Sequence, residues 1–523
     1  MLRANAQKTF SPLSSRLRGW AAVVALPIAS CLVQGCAVGP DFQRPDAPKT
    51  TGYLADGNPK KTVSAAGPAG AEQRFVAEMD IPGQWWTLFH CAALDTLIEE
   101  SLATNADLKA ARAALRVARE NVYAQEGVYF PALQASFAPS RQRNAVGTIA
   151  PTLSSGQPVF TLYNAQVNVS YVLDVFGGNR RLVESTEAQA EAQRFQLEAT
   201  YLTLTSNLVA AAVQEASLRG QVRATEEIIR VESEERDLLL KQFQLGDVAW
   251  ADVRAQEATL AQTEATLPIL QKQLGLERDL LTALAGRLPS EEISQRFELS
   301  DLTLPEELPV SLPSRLVEQR PDIRAAEAQF HSSSAEVGVA IANMLPQINL
   351  TGVYGGTSTA FGQLFAPGNI FWGATGTFSQ TLFQGGTLLH RERGAVAAMD
   401  EAAEQYRSTV ITAFQNVADS LRSLQSDAEA LKASVRAEQA ATESLAIARR
   451  QLELGAVGTA FLLNVEQTYQ MSVINTLQAR ANRYADSVAL FQALGGGWWN
   501  RTEVATETRA SAGEPHKDVV GHR

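Results

Sequence analysis

The stretch that decides the fold is GNRRLVESTEAQAEAQRFQLEATYLTLTSNLVAAAVQEASLRGQVRATEEIIRVESEERDLLLKQFQL, residues 178–245. It contains no proline and almost no glycine, and it is full of Ala, Gln, Glu and Arg, a composition that favours the α-helix. Residues 386–454 have the same character. At 1.5 Å per residue each stretch predicts a helix of roughly 100 Å, about three times the thickness of a bilayer core. Helices this long cannot be buried in a globule of 523 residues, so we expect a hollow helical bundle.

Each long helix is followed by a glycine that predicts a sharp turn. Gly246 follows KQFQL, and Gly455 follows RQLEL at the corresponding place 209 positions later. Glycine is the usual residue where a helix C-terminus requires a left-handed backbone. After each turn the composition predicts a second helix of about 40 residues that runs back. The sequence therefore predicts two helical hairpins, each with one long and one shorter helix.

The chain contains an internal repeat, with two copies of one sequence unit. LKAARAALRVARENVYAQEGVYFPAL aligns without a gap on IRAAEAQFHSSSAEVGVAIANMLPQI, which places Pro131 on Pro346, 215 positions later. Phe176 in DVFGG falls on Phe383 in TLFQGG at an offset of only 207. The first copy therefore carries an insertion between these points, as an exposed loop tolerates. Each copy is predicted to contain a helix, a β-hairpin, a long helix and a shorter helix, in this order.

These patterns divide the chain into six parts. They are a signal peptide (1–35), an N-terminal linker (36–80), a first repeat (81–288), a proline-rich connector (289–317), a second repeat (318–499) and a disordered C-terminal tail (500–523). Within the linker we expect residues 46–75 to be a flexible tether, because they are rich in Pro, Gly, Ala and Lys. The tail is polar, a composition typical of disorder.

The β-hairpin of the first copy has the clearest strand pattern. In VNVSYVLDV, residues 167–175, apolar Val169 and Tyr171 alternate with polar Asn168 and Ser170. This period of two predicts a strand with one face towards lipid and the other towards a water-filled lumen. Weaker patterns predict the partner strands ALQASFAPS (132–140), INLTGVYGG (348–356) and WGATGTFSQTLF (372–383).

Two hairpins supply four strands, which are too few for a membrane barrel. A closed bacterial barrel starts at about eight strands, and an open sheet edge cannot lie in lipid. Beyond the N-terminal region the sequence has no run of 18 or more apolar residues, so a transmembrane helix is not expected. The chain must therefore form an oligomer that closes the barrel, although the residues alone do not choose its copy number.

The N-terminus has the pattern of a lipoprotein signal. Four basic residues precede WAAVVALPIASCLV, an apolar stretch too short and too broken by Pro27 to span a bilayer. Cys36 follows a small residue at the end of this region and is predicted to carry S-diacylglycerol and N-palmitoyl chains, with Cys31 as the alternative. A discarded signal peptide that merely contains cysteines is the other alternative. Ala37, rather than Asp, indicates the outer membrane as the destination.

Composition argues against catalysis and against nucleic acid. The chain has 5 His and 3 Cys, and once Cys31 and Cys36 are assigned to the signal region, Cys91 has no partner for a disulfide. The net charge of −11 does not suit phosphate binding. We find no nucleophile with a base, no metal-ligand spacing and no phosphate loop, so we expect neither an enzyme nor a cofactor. A structural coiled-coil lipoprotein is the remaining alternative, but it would not need alternating hairpins.

Several motifs together resemble the outer membrane efflux protein family. They are GCAVGPDFQRP, QWWTLF, DVFGG, LPSRLVEQRPDIRAAEA, FQGG and the two Leu-Gly turns, in order from 36 to 496. The segment around RPDI is the most specific, and the match is to the NodT-type lipoprotein branch of tripartite resistance-nodulation-division (RND) pumps. The position of the cysteine before Val-Gly-Pro favours Cys36 over Cys31. Gln34 and the pair His90-Cys91 depart from the family pattern.

The resemblance implies a mainly α protein in which two tandem repeats form one third of a trimeric 12-stranded transmembrane β-barrel with a periplasmic α-helical tunnel. It implies a passive exit duct in the outer membrane of a Gram-negative bacterium, with outer-membrane lipid, a periplasmic adaptor (membrane fusion protein) and an inner-membrane RND transporter as partners. A channel for type I protein secretion is the alternative within transport. The connector and the region after Trp498 are expected to form a belt around the tunnel.

Two groups of residues are candidate sites. The helical turns are predicted to dock the adaptor, because small apolar residues at a wet tip indicate a surface covered by another protein and VGT resembles the family contact sequence. These residues are Gly246, Asp247, Val248 and Ala249 in the first turn and Gly455, Ala456, Val457, Gly458 and Thr459 in the second. Asp247 is also expected in an acidic ring at the closed mouth. The second group comprises the strand-to-helix glycines Gly177, Gly178, Gly385 and Gly386.

Overall fold

The structure, a computed structural model, describes residues 37–143 and 159–501. The predicted signal peptide, both candidate lipid-bearing cysteines and nearly all of the predicted tail lie outside the described residues. The helices are α1 (Ala92–Thr104), α2 (Ala106–Glu126), α3 (Gly178–Leu245), α4 (Trp250–Leu284), α5 (Pro313–Gln319), α6 (Pro321–Ala342), α7 (Thr387–Glu453) and α8 (Thr459–Ala493). The strands are β1 (Arg74–Ala77), β2 (Ala132–Arg143), β3 (Val159–Leu173), β4 (Glu307–Val310), β5 (Gln347–Ser358) and β6 (Ile370–Ser379).

The element order confirms the internal repeat. In the first copy α2 is followed by β2, β3, α3 and α4, and in the second α6 is followed by β5, β6, α7 and α8. The long helices α3 and α7 have 68 and 67 residues, and the shorter helices α4 and α8 have 35 each. Each helix within residues 37–143 and 159–501 is either too short or too polar to span a bilayer.

The described chain forms two compact units. The sheet unit comprises the chain up to residue 43 together with residues 118–190 and 328–403. The helical unit comprises residues 44–117 and 191–327 and the chain from residue 404. Most of both helical hairpins, including their turns, belongs to the helical unit.

Residues 88 to about 128 are rich in Ala, Leu, Arg and Glu, with no Gly or Pro until Gly127, and this composition predicts one helix. That prediction is wrong, because the chain breaks at Asn105. This buried residue has φ −54° and ψ 130°, which are not helical values. Its Oδ1 accepts a hydrogen bond from the backbone N–H of Leu108 at 3.0 Å, so Asn105 is the N-cap of α2. In the second copy the corresponding break falls at Arg320, 215 positions later, between α5 and α6. The break is therefore a feature of the repeat.

The sheet unit contains a four-stranded antiparallel sheet in the order β2-β3-β5-β6. All four predicted strands are present. β3 begins earlier than the alternation indicated, at Val159, and β6 ends at Ser379, so residues 381–383 are outside it. Within the described ranges β2 and β6 each pair on one side only.

The register gives this sheet one apolar and one polar face. Residues facing each other across the strands share a face, and successive residues alternate. One row joins Leu133, Val169, Gly352 and Ala374, and the next row along the same face includes Tyr171 and Leu350. On the opposite face of β3 the amide of Asn164 donates to Gln166 and that of Gln166 donates to Asn168, at 3.3 and 3.2 Å. The predicted alternation thus continues across all four strands in the rows next to Val169.

The expectation that residues 46–75 form a flexible tether is wrong for the last part of this segment. Strand β1 pairs in parallel with β4 of the connector. Gln73 is completely buried, and its side-chain amide donates to the Pro305 carbonyl and to Ser487 Oγ, both at 2.9 Å. Its Oε1 accepts from Arg483 at 2.7 Å. Because a buried amide must satisfy its polar atoms, these bonds fix the segment against α8.

The QWWTLF motif belongs to the core of the helical unit. Trp85, Trp86 and Phe89 lie on a 3₁₀ helix and are at most 1% exposed. Trp85 stacks on Phe491 of α8 with ring centroids 5.3 Å apart. Aromatic side chains of this size supply a large share of core burial, so this motif has a structural role.

The RPDI motif also has a structural role. Arg320 makes a bidentate ion pair with Asp322, at 3.0 and 2.6 Å, and donates to the carbonyl of Ala493 at 2.9 Å. Ala493 is the last residue of α8, where a cation is favourable. The motif therefore joins the break between α5 and α6 to the end of the last helix.

Candidate functional sites

The turns that end the two long helices have the same backbone structure. Gly246 has φ +85° and donates to the carbonyl of Phe243 at 3.0 Å, while Asp247 donates to the carbonyl of Gln242 at 2.9 Å. In the second copy Gly455 has φ +72°, and it and the next residue make the corresponding two bonds, both at 2.9 Å. This is the Schellman motif, which requires a left-handed residue. Turn geometry alone therefore explains both glycines.

The residues that begin the returning helices differ between the copies. In the first, the carboxylate of Asp252 accepts from the backbone N–H of Ala249 at 3.1 Å and stabilises the start of α4. In the second, Gly458 is the N-cap of α8, with φ −92° and ψ 166°. A Cβ built on Gly458 would meet no atom of the described chain within 4 Å. The fold of this chain therefore does not require a glycine at position 458.

The predicted docking residues differ in exposure. Gly246, Asp247, Ala249, Gly455, Ala456 and Gly458 are exposed, Val248 and Val457 are half-buried, and Thr459 is buried. Small apolar side chains are thus only part of this surface.

Large apolar side chains that the sequence reasoning missed lie beside the turns. Leu245 and Leu454, the last residues before the glycines, are 78% and 67% exposed, and Trp250 and Phe461 of the returning helices are 42% and 48% exposed. Their position next to the two turn glycines, at the end of a polar helix, is a feature of the sequence from which they could have been identified. Exposed side chains of this size indicate a surface that another molecule covers.

The second turn rests on a small core of its own. Leu445 and Ala448 of α7 pack with Leu462 of α8, and each is at most 7% exposed. In the first copy Phe243 packs on Trp250 with ring centroids 4.9 Å apart, and the guanidinium of Arg254 lies over the Trp250 ring. Both turns are therefore supported by contacts within their own hairpin.

Side chains a few turns away connect the two hairpins. The guanidinium of Arg449 on α7 contacts Glu235 of α3 at 3.0 Å and Glu466 of α8 at 3.2 Å. Glu235 lies 11 residues before Gly246, which corresponds to roughly 16 Å along a helix. The two copies of the repeat are thus tied together close to their turns.

The strand-to-helix turn of the first copy is closely packed. Both carboxylate oxygens of Asp174 accept backbone N–H groups of the first turn of α3, those of Asn179 and Arg180, each at 3.0 Å. Gly177 has φ +76°, and a Cβ there would lie 2.5 Å from the Cα of Ala37. A Cβ on Gly178 would lie 2.9 Å from that of Ala342. Both glycines are therefore required for close approach of the backbone.

The segment after Cys36 is docked on this turn. The backbone N–H of Val38 donates to the Phe176 carbonyl at 3.0 Å. Arg181, which is 4% exposed, donates to the Val38 carbonyl at 3.1 Å and pairs with Asp41 at 2.6 Å. Phe42 stacks on His331 of α6 with centroids 4.4 Å apart. The chain is thus anchored from its first described residues onward.

The corresponding turn of the second copy is open. Gly385 and Gly386 have φ +59° and +84°, and a Cβ on Gly385 would meet no atom of the described chain within 4 Å. Leu382 and Phe383 just before them are 92% and 88% exposed. The positive φ angles account for glycine at both positions, whereas close packing does not require it.

Neither a metal cluster nor a disulfide is found in residues 37–143 and 159–501. No group of three or more His, Cys, Asp or Glu side chains there could hold a metal ion. Cys91 is a buried free thiol, and burial raises its pKa above the ordinary value.

The chain contains a sheet with one apolar and one polar face and two helical hairpins whose long helices reach roughly 100 Å. These features define the class of outer-membrane channels that combine a barrel with a helical tunnel. The family model described as outer membrane efflux protein matches residues 97–287 and 312–496. The chain belongs to this family, which confirms the resemblance inferred from the motifs.

Relatives and solved structures agree with this identification. The chain is 28% identical over 486 residues to the toluene efflux pump outer membrane protein TtgC of Pseudomonas putida, covering 93% of this chain and 97% of that protein. It is 28% identical over 485 residues to the outer membrane protein OprJ of Pseudomonas aeruginosa, covering 91% and 96%.

The structure of the outer-membrane channel OprN superimposes with a TM-score of 0.79 at 27% identity, covering 88% of this chain and all of that one. The CmeC outer membrane channel of Campylobacter jejuni gives a TM-score of 0.80 at 21% identity, covering 91% and 98%, and supports the fold. The protein is thus an outer-membrane efflux channel, and the predictions of fold class, efflux function and location are confirmed. These findings favour efflux over protein secretion and over a purely structural lipoprotein.

Proposed function

We propose that this chain is the outer-membrane duct of a tripartite efflux system and works as a homotrimer. Three copies contribute four strands each to one 12-stranded barrel, and their hairpins form the wall of a tunnel. The observation that carries this proposal is the sheet itself. Its outer strands β2 and β6 each pair on one side only within the described chain, and an open edge cannot lie in lipid. Pairing of β6 of one copy with β2 of the next removes every edge.

The partners in this proposal are a periplasmic adaptor and an inner-membrane RND transporter. The adaptor docks on the turns around Gly246 and Gly455, where exposed Leu245 and Leu454 present apolar surface. Support comes from the relatives, since TtgC is by name a component of a toluene efflux pump. The duct is passive: it catalyses no reaction, binds no cofactor and has no nucleic acid partner, and selection of substrate belongs to the transporter.

The barrel can be tested by placing a charge on each face of β3. We expect the wild-type protein in mild detergent to have the mass of three chains. Val169→Arg should destabilise the membrane-inserted trimer by roughly 2–4 kcal/mol if it lies near the bilayer midplane, because it puts a charge on the lipid face. Asn168→Arg, one residue away on the polar face, is the matched control and should assemble normally. A stable wild-type monomer, or equal effects of the two variants, would refute the barrel.

We further propose that Cys36 carries the S-diacylglycerol and N-palmitoyl chains that hold the N-terminus in outer-membrane lipid. The docking of the following residues on the turn at Gly177 supports this, because it holds Ala37 beside the end of β3 and the start of α3. An anchor next to Ala37 therefore enters the membrane beside the strands.

Labelling with a radioactive fatty acid distinguishes the two cysteines. Cys36→Ser should abolish incorporation of the label, whereas Cys31→Ser should leave it intact, because residue 31 would be removed with the signal peptide. The barrel should keep the unlabelled protein in the outer membrane. Label that survives the first substitution and disappears with the second would transfer the lipid to Cys31.

A further inference from the structure

The helical unit contains a cavity between α3, α7 and α8 that the duct function does not use. Its volume is about 390 Å³. Apolar side chains form much of its wall, and they are Ala224, Ile228, Val231, Leu445, Ala446 and Val473. Tyr469 adds an aromatic ring. A space of this size lined in this way suits a small ligand with an apolar body.

Two deeply buried carboxyl groups also line the cavity. Glu232 of α3 is 1% exposed and Glu466 of α8 is 3% exposed. The Oε1 atom of Glu232 accepts from Thr263 at 3.2 Å and from Gln470. The Oε2 atoms of both residues have no hydrogen-bond partner in the described chain. A buried polar atom without a partner is costly, so these two oxygens favour binding of a group that compensates their negative charge.

The positive charge nearby does not balance these acids. Arg449 is shared between Glu235 and Glu466, and the charge of Glu235 disfavours ionisation of Glu466. One guanidinium therefore serves two carboxyl groups, and Glu232 is a third. Burial and the neighbouring Glu235 raise the pKa of Glu466 to about 8, and burial raises that of Glu232. A proton or a cation must supply the missing positive charge.

We propose that this cavity binds a small organic cation with an apolar body, whose positive group lies between Glu232 and Glu466. The cation satisfies the free carboxylate oxygens, its body covers the apolar wall, and Tyr469 adds a ring that can face a cation. As the cation binds, Glu466 loses its proton to solvent. The positive charge of the ligand therefore replaces that of the proton. The site lies in the described helices of a single chain and does not depend on the proposed trimer or its partners.

This exchange makes binding depend on pH. The charged or titratable groups around the cavity are Glu227, Glu232 and Glu235 on α3, Glu264 on α4, Arg449 on α7, and Glu466 and Tyr469 on α8. Glu466 is protonated in the empty site at about pH 6 and ionised at about pH 9. Since the cation favours the ionised carboxylate, its affinity should rise over this range.

The experiment is calorimetric titration of the full-length protein in detergent with phenyltrimethylammonium, which has no titratable group, so its charge is the same at about pH 6 and at about pH 9. Its neutral isostere, tert-butylbenzene, has the same shape without the charge. We expect the cation to bind at least about tenfold more tightly than the isostere. Glu232→Gln should weaken binding of the cation about tenfold, whereas Glu443→Gln, an exposed acid on α7 outside the cavity, should leave it unchanged. Glu466→Gln should remove the rise of affinity with pH.

A steric variant guards against misfolding as the cause of lost binding. Ala446 is exposed at the cavity wall, so Ala446→Trp should block the cavity without changing any charge and without altering the circular dichroism of the protein. Absence of binding to the wild-type protein would overturn the proposal. Equal affinities for the cation and the isostere would also overturn it. The same holds if the Glu232→Gln variant binds the cation as tightly as the wild-type protein does.

Discussion

Gly458→Arg should abolish drug resistance and crosslinking to the adaptor while leaving the amount, oligomeric state and outer-membrane location of the channel unchanged. Position 458 has an ordinary φ of −92°, and a side chain there would meet no atom of the described chain within 4 Å. The monomer can therefore accept an arginine. A partner helix packed on the exposed turn cannot, because the side chain adds both bulk and a charge to a desolvated contact.

The measurement is growth in the presence of an exported drug, together with crosslinking to the adaptor in cells. Gly275→Arg is the matched control, since Gly275 is exposed on α4 and is also free of close neighbours. Arginine is a better helix former than glycine, so this variant should export normally. Gly455→Arg is a contrasting change, because φ +72° strains any side chain and the turn itself should suffer.

Three results would contradict the docking assignment. If Gly458→Arg destroys the oligomer, the glycine has a structural role that the single chain does not reveal. If crosslinking and resistance both persist, the adaptor contacts another surface. If the Gly458→Arg variant loses resistance but still crosslinks to the adaptor, the turn is not the docking site.

Glu215→Ala should cost roughly 3–5 kcal/mol of stability, the range for breaking a buried ion pair by removing one partner. Glu215 of α3 is completely buried. One oxygen contacts Arg219 and Arg278, the latter at 3.0 Å, and the other accepts from the backbone N–H of Phe297 at 2.9 Å. Without the carboxylate, Arg219, Arg278 and the backbone N–H of Phe297 in the connector lose this acceptor. Arg278 keeps others, at Glu292 and at connector carbonyls.

Urea unfolding followed by the helical circular dichroism signal would measure this loss. Glu191→Ala is the matched control, since Glu191 on the same helix pairs with Arg194 but its side chain is 42% exposed. Exposed pairs contribute little, so this variant should change stability by less than about 1 kcal/mol. Comparable midpoints for the two variants would show that the buried network does not hold the connector.

The elements that were correctly predicted are those determined by neighbours in the chain. Composition without Pro and with almost no Gly predicted α3 and α7, and an alternating pattern predicted β3. A glycine at each helix end predicted the turns at residues 246 and 455. The break at Asn105 was also local, because the residue is an N-cap, but the Ala-rich sequence on both sides obscured it.

What was missed depends on residues far apart in the sequence. Residues 46–75 have the composition of a tether, yet Gln73 bonds to Arg483, 410 positions away. In the same way, nothing beside Gly177 in the sequence shows that Ala37 packs against it. The acids at 232 and 466 look like ordinary surface residues of polar helices, and only the packing of three helices buries them together.

The sequence by itself determined the repeat, the order of the hairpin strands and long helices within each copy, and the family, and it predicts an oligomer. These follow from periodicity, turn residues and the count of strands, which are local or additive properties. The tertiary structure alone decided that the N-terminal segment is docked, that Gly458 is free of constraint while Gly177 is not, and that two acids share one cavity. Those outcomes depend on which surfaces exclude water from each other, and burial changes the energy of a carboxyl group or a glycine without changing its neighbours in sequence.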